Sequence, residues 1–307
     1  MPLPRAIPES LAKRSNPGAT IRGSIECKSV NLSDRIYAAV HVALTLLVLV
    51  RAGRVEHWPW YVAWNAACLA AIVVLARNAH RSRAWEFAHD WLPSVFFVSV
   101  FEEVAWLASA VESQWRESIL IATEQSLFGH VPNVWLPGVR IASELLNLGY
   151  LLYYPLYPAV AGYLWIQRHQ DRFRNGFRAM TDACSVGYLV CYIAYLSFPT
   201  RSPRHAFPSM PDRELTGAFG KVIGWVQGGA GVYGNAFPSA HIMLSFAIMV
   251  FVLRYSRRWG AVVFAVNLLM AVGAVHSAYH YVSDVVIGAA IGLAAGIVFL
   301  PRVSRVT

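Results

Sequence analysis

His280 and Asp284 stand four residues apart in "HYVSDVVIG", at the mouth of an unbroken apolar run. Titratable groups are costly at the edge of a membrane helix and need a reason to be there. Residues four apart on a helix share a face and can touch. Asp284 could accept a hydrogen bond from one imidazole nitrogen of His280, fixing the tautomer and leaving the lone pair on the other nitrogen. A nitrogen so oriented is a nucleophile toward phosphorus, and the carboxylate would stabilise the cation that forms. Taken alone, such a pair more often has a structural role, in which Asp284 merely satisfies a helix-end histidine.

Two other stretches carry complementary chemistry. In "FPSAH" (237–241), Pro238 suits the first turn of a helix, where its missing N–H is not needed. Ser239 and His241 would then lie in that first turn, whose exposed N–H groups and dipole attract phosphate. His241 beside a bound phosphate could protonate a leaving oxygen, although a capping serine and an interfacial histidine would read the same way. In "PTRSPRHAF" (199–207), the prolines stop the preceding helix and present Arg201 and Arg204. Guanidinium forks suit phosphate oxygens, and they suit lipid headgroups or water as well. His205 and His276 read as bystanders. Together the segments supply a nucleophile with its orienter, a proton donor at a helix start and cationic phosphate ligands, with Ser239 as a further phosphate contact. That is an inventory for phosphoryl transfer through a phosphohistidine, and it calls for no metal and no cofactor.

These segments need a scaffold that brings them together. The chain of 307 residues is 56% hydrophobic and 14% charged, against about 25% charged in an ordinary soluble domain. An all-α polytopic membrane bundle is therefore expected, and its net charge of +9 does not point to nucleic acid, because the basic residues fall in short clusters between apolar runs. Eight stretches approach the roughly 20 apolar residues of a spanning helix: 34–50, 59–76, 92–111, 145–167, 180–198, 237–254, 259–276 and 280–300. Residues 1–33 read as a polar cytoplasmic tail, without the apolar segment and small-residue cleavage site of a signal peptide. Of the 26 Lys and Arg residues, 18 fall in one alternate set of connecting segments and 8 in the other. That bias places both termini in the cytoplasm and all three polar stretches on the opposite, periplasmic or luminal, face of a plasma membrane. Cys27, Cys68, Cys184 and Cys191 form no CxxC and read as small hydrophobes rather than disulfides or metal ligands. Glu102 and Glu103 lie inside the third span, where a carboxylate is either functional or the partner of another buried polar group. Gly288, Gly292 and Gly296 repeat a GxxxG spacing, which ordinary close packing of helices explains.

"FPSAH", followed 39 residues later by His280 and then Asp284, resembles the second and third motifs of the type 2 phosphatidic acid phosphatase superfamily. The wording is most similar to the branch containing inositol phosphorylceramide synthases. The resemblance covers roughly 92–300, a six-helix core, and leaves 34–91 as two additional N-terminal helices. It implies His280 as nucleophile, Asp284 as its orienter and His241 as the acid that protonates the leaving group. The superfamily's first motif, a Lys followed by Arg-Pro, is not matched; "FPTRSPR" stands there, which makes Arg204 and Arg201 the phosphate ligands. The Ser-Arg ahead of the third motif is replaced by Gly273 and Ala274. The substrate implied is a membrane phospholipid or lipid phosphate, the acceptor water or an alcohol such as inositol or a sphingoid lipid. Competing readings are a proton- or metal-coupled transporter, with His241, His276, His280 and Asp284 drawn as a zinc site, and an inactive scaffold that keeps the motifs for packing.

Overall fold

The computed structural model describes residues 30–111, 114–132, 140–207, 217–228 and 234–301. Most of the tail expected over 1–33, with Cys27, lies outside the described residues. The elements are helical throughout: α1 Leu32–Val50, α2 Trp58–Asn78, α3 Arg83–Val111, α4 Glu117–Phe128, α5 Arg140–Leu151 and α6 Tyr153–Ile166, then α7 Asp171–Ser197, α8 Pro203–Ala206, α9 Ala218–Gly228, α10 Ala240–Tyr255, α11 Arg257–His276 and α12 Val282–Phe299. Among the described residues strand-like pairing is limited to one isolated parallel bridge, Thr200 with Asn235.

Six of these helices are long and apolar enough to cross a membrane: α1, α2, α3 as far as Ala108, α7, α11 and α12. The expected count of about eight is corrected at two places. The stretch 145–167 is not one helix but α5 and α6, broken at Leu152. Pro155 has no N–H to donate to the Leu151 carbonyl, and its ring collides with that carbonyl in a continuous helix. The stretch 237–254 forms only the 16-residue α10, because Pro238 lies before the cap rather than in the first turn. Two other helices start earlier than expected, α3 at Arg83 rather than 92 and α7 at Asp171 rather than 180. Their first turns carry Glu86 and Asp171, acids that favour a helix start.

The short α10 is the centre of the bundle. It is apolar all round, and Ala240 and every residue from Ile242 to Phe251 are buried, the pattern of a helix enclosed on all sides. It packs on α12, α11, α7 and α6. At about 1.5 Å per residue it is some 24 Å long, less than a hydrocarbon layer of about 30 Å. Ser239, just before it, is fully buried, so the helix begins inside the bundle and leaves depth for a site at that end.

The first two helices dock on α3 and α7. At the start of α1, Asp34 meets His89 of α3 at 3.0 Å, and the Ser33 amide donates to Asp182 of α7 at 3.1 Å. Glu103 faces inward, where Asn65 of α2 donates to it at 2.6 Å, while Glu102 points outward. The three described cysteines are buried free thiols, in keeping with their reading as small hydrophobes.

Candidate active site

Three non-helical segments meet at the N-terminal ends of α10 and α12. The first is the segment after α7. Thr200 lies beside 234–237: its amide donates to Gly234 O at 3.4 Å, its carbonyl accepts from Ala236 N at 3.2 Å, and its Oγ1 accepts from Phe237 N at 3.0 Å. The second is the entry to α10. Ser239 is the N-cap, its Oγ accepting from Ile242 N at 3.4 Å, the role serine side chains take at helix starts. The third is the turn from α11 to α12. It is tied to the second by Ser239 N donating to the Asp284 carbonyl at 3.1 Å.

His280 lies in this last turn and is 6% exposed. Its Nδ1 is 3.0 Å from Ala236 O and 3.4 Å from Asp284 Oδ2. A carbonyl only accepts, so Nδ1 carries the proton and Nε2 the lone pair. Burial pulls the imidazole down to about 4, against the opposing pull of the Ala236 carbonyl, which keeps the ring neutral at ordinary pH. The expected orienter, Asp284, is thus the second of two holds on the ring. Its Oδ2 is shared with the Tyr281 amide at 2.8 Å, and its buried Oδ1 has no hydrogen-bond partner.

His241, in the first turn of α10, holds its ring 6.2 Å from that of His280, centroid to centroid and tilted by 56°. Tyr153, Tyr150 and Phe101 surround it at 4.8, 5.8 and 5.8 Å. Its Nδ1 is buried and makes no hydrogen bond.

The two arginines differ. Arg204 lies over the Tyr279 ring at 4.3 Å and donates to Ser277 O at 3.2 Å, which places it beside the His280 turn. Arg201 is bound by Glu117: its Nε donates to Glu117 Oε1 at 2.7 Å and its Nη2 donates to the same oxygen. His205 and His276 have other partners, Ser202 Oγ at 2.9 Å and Ser143 Oγ at 3.0 Å. Among the described residues, no group of three or more His, Cys, Asp and Glu is placed to hold a metal ion. Ala274, where the superfamily resemblance would put an arginine, is fully buried, and its carbonyl accepts from both Tyr279 N and His280 N.

Two carboxylates escaped the sequence reading. Glu117 and Glu124 lie two turns apart on α4, on the face that also buries Leu120. That face covers Tyr281, Phe198, Phe207 and Phe237. Glu124 Oε1 accepts from the Ser283 amide at 3.1 Å and its hydroxyl at 3.3 Å, holding the first turn of α12. Burial raises its pKa, and Oε2 has no hydrogen-bond partner. The available signal was the spacing Glu117–Leu120–Glu124, a single helical face bearing two acids on either side of a leucine.

No curated protein and no solved structure matches the chain. The PAP2 superfamily pattern matches residues 118–298, which takes in α4 from its second residue, both histidines, both arginines and Asp284, and leaves Glu117 just outside. On that match, covering more than half its length, the chain belongs to the PAP2 superfamily.

Proposed function

We propose that this protein is a membrane phosphotransferase or phosphatase that works through a phosphohistidine on His280. The observation that carries the reading is the pairing of His280, its proton held on Nδ1 by Ala236 O at 3.0 Å, with His241 at a ring separation of 6.2 Å. The Nε2 lone pair of His280 attacks phosphorus, and the bond from phosphorus to the leaving alcohol oxygen breaks. His241 gives its proton to that oxygen. An acceptor hydroxyl then attacks phosphorus, the P–N bond breaks back to Nε2, and His241 recovers a proton from the acceptor. The Ala236 carbonyl and Asp284 stabilise the imidazolium-like state between the two steps. Arg204 is the first phosphate ligand. Arg201 reaches phosphate only while shared with Glu117, and Ser239 contributes chiefly the amide-rich helix start that it caps.

The substrate is a phospholipid or lipid phosphate, reached from the non-cytoplasmic face of a plasma membrane, with both termini cytoplasmic. The several membrane-length apolar helices and the bias of Lys and Arg between alternate loops support that placement. Water as acceptor makes a phosphatase. An alcohol makes a headgroup transferase of the inositol phosphorylceramide synthase kind, which "FPSAH" and "HYVSDVVIG" favour.

The deciding experiment is release of diacylglycerol by the purified protein from a panel of lipid phosphates and phospholipids in EDTA, with and without an alcohol acceptor, beside His280→Ala. Metal-independent release that disappears in the variant supports the phosphohistidine route. Release that persists in the variant ends it.

A further inference from the structure

One of the two arginines that the sequence offers to phosphate is paired with a buried acid. Arg201 spends its charge on Glu117, a carboxylate 5% exposed that receives its Nε–H, its Nη2–H and, at 3.5 Å, its backbone N–H. A guanidinium so paired offers phosphate hydrogen-bond donors but little net positive charge. The surrounding field leans the same way. Tyr281, next to the nucleophile, has its phenol pushed up first by burial and then by the carboxylates of Asp284, Glu117 and Glu124, with Arg201 alone pulling it down. In a buried site such fields are screened far less than in water.

A phosphate monoester near neutral pH carries two negative charges, and a phosphodiester carries one. A site whose carboxylates cancel a phosphate-facing arginine disfavours the second charge. We propose that Glu117 is a selectivity residue, which neutralises Arg201 and so directs the His280 site to a lipid phosphodiester in preference to a phosphate monoester. The proposal rests on the phosphohistidine reading above and adds the charge class of the donor. Glu117 acts through Arg201 and is a positioning residue, not a catalytic one. A bulk structural effect of Glu117 would lower turnover of both donors alike, whereas the charge effect moves their ratio.

The test uses the full-length protein in detergent micelles near neutral pH, with a long-chain primary alcohol as acceptor. Two donors with the same diacylglycerol are compared, phosphatidic acid and phosphatidylmethanol, and diacylglycerol release is the common readout. The wild type is expected to favour the diester in kcat/KM by about tenfold or more. Glu117→Gln keeps an oxygen for Arg201 and removes the charge, and is expected to shrink the ratio by about tenfold through faster monoester turnover. Arg201→Gln leaves Glu117 uncompensated and should widen the ratio, a measurement that stands even if the Glu117 variant fails to fold. A wild type that prefers the monoester, or ratios that stay fixed in both variants, overturns the assignment and leaves the phosphohistidine route intact. No release from either donor by the wild type overturns both.

Discussion

Two of the histidine–acid clusters among the described residues make a contrast. One is His280 with Asp284. The other joins His41 of α1, Asn65 of α2 and Glu103 of α3, all buried. In the second cluster the Asn65 amide donates to Tyr61 O at 2.9 Å and to Glu103 Oε1 at 2.6 Å, so its Oδ1 faces His41 Nδ1 at 2.6 Å. The string is closed, since His41 Nε2 and Glu103 Oε2 are buried without hydrogen-bond partners. His41 is the tenth of the nineteen residues of α1 and Asn65 the eighth of the twenty-one of α2, so both sit in continuous helix whose backbone groups are already paired. His280 stands instead where helices begin and end, and there the Ala236 carbonyl is available to it. Residue types do not separate chemistry from helix bonding here. Placement between helices sets the proposed site apart, because there backbone groups and a helix start join the side chains.

That contrast can be broken by experiment. His280→Ala should cut turnover by at least about 10³-fold in a protein that still folds; near-normal turnover would put the chemistry elsewhere. Asp284→Asn should cost roughly 10²-fold in kcat, less than the ~10⁴-fold expected of a sole orienter, because the Ala236 carbonyl still holds the ring. Arg204→Ala should raise KM about tenfold with a smaller change in kcat. In the N-terminal cluster, Asn65→Leu should cost about 1–3 kcal/mol of stability by stranding both neighbours, seen as a lower melting temperature with kcat unchanged. A kcat collapse in that variant would make the second cluster functional too. The last effect is on the pH dependence of stability. The His280 imidazole titrates at about 4 when buried, against 6.5 ordinarily. Between those values the unfolded chain binds a proton that the native one refuses, so the contribution of His280 to stability is complete above pH 6.5 and is lost as pH falls toward 4. Thermal melts of wild type and His280→Gln across that window should diverge, the variant showing the flatter profile.

The membrane-bundle class, the two histidines, Asp284 and the arginine segment were legible because each rests on residue type and spacing. The partner that fixes the His280 tautomer was not, since Ala236 acts through its carbonyl and every residue has one. The break between α5 and α6 was written in Pro155, but a long apolar run hides a single proline. α4 was hidden for the opposite reason. Its two acids lower the apolarity of a short segment until it reads as a connection, although those acids are what bind it to Arg201 and to the start of α12. The shortness of α10 follows from Ser239 acting as its cap, a choice that Pro238 alone left open.

The glycine stripe of α12 bears on how the protein responds to its bilayer. A Cβ on Gly288 would stand 2.5 Å from Ser239 O, one on Gly292 would collide with Met243 O, and one on Gly296 would come within 2.9 Å of Val250 Cβ. α12 therefore lies against the backbone at the start of α10 and at Met243, and against the Val250 side chain further along, with little room to give at any of the three. Bilayers of different thickness tilt and bend helices. A pair welded in this way should tilt as one rigid plate, carrying His241 and His280 together while the outer helices absorb the strain. Turnover measured in vesicles of increasing acyl-chain length should then hold steady for this protein, and become thickness-dependent once Gly292→Ala pries the plate apart.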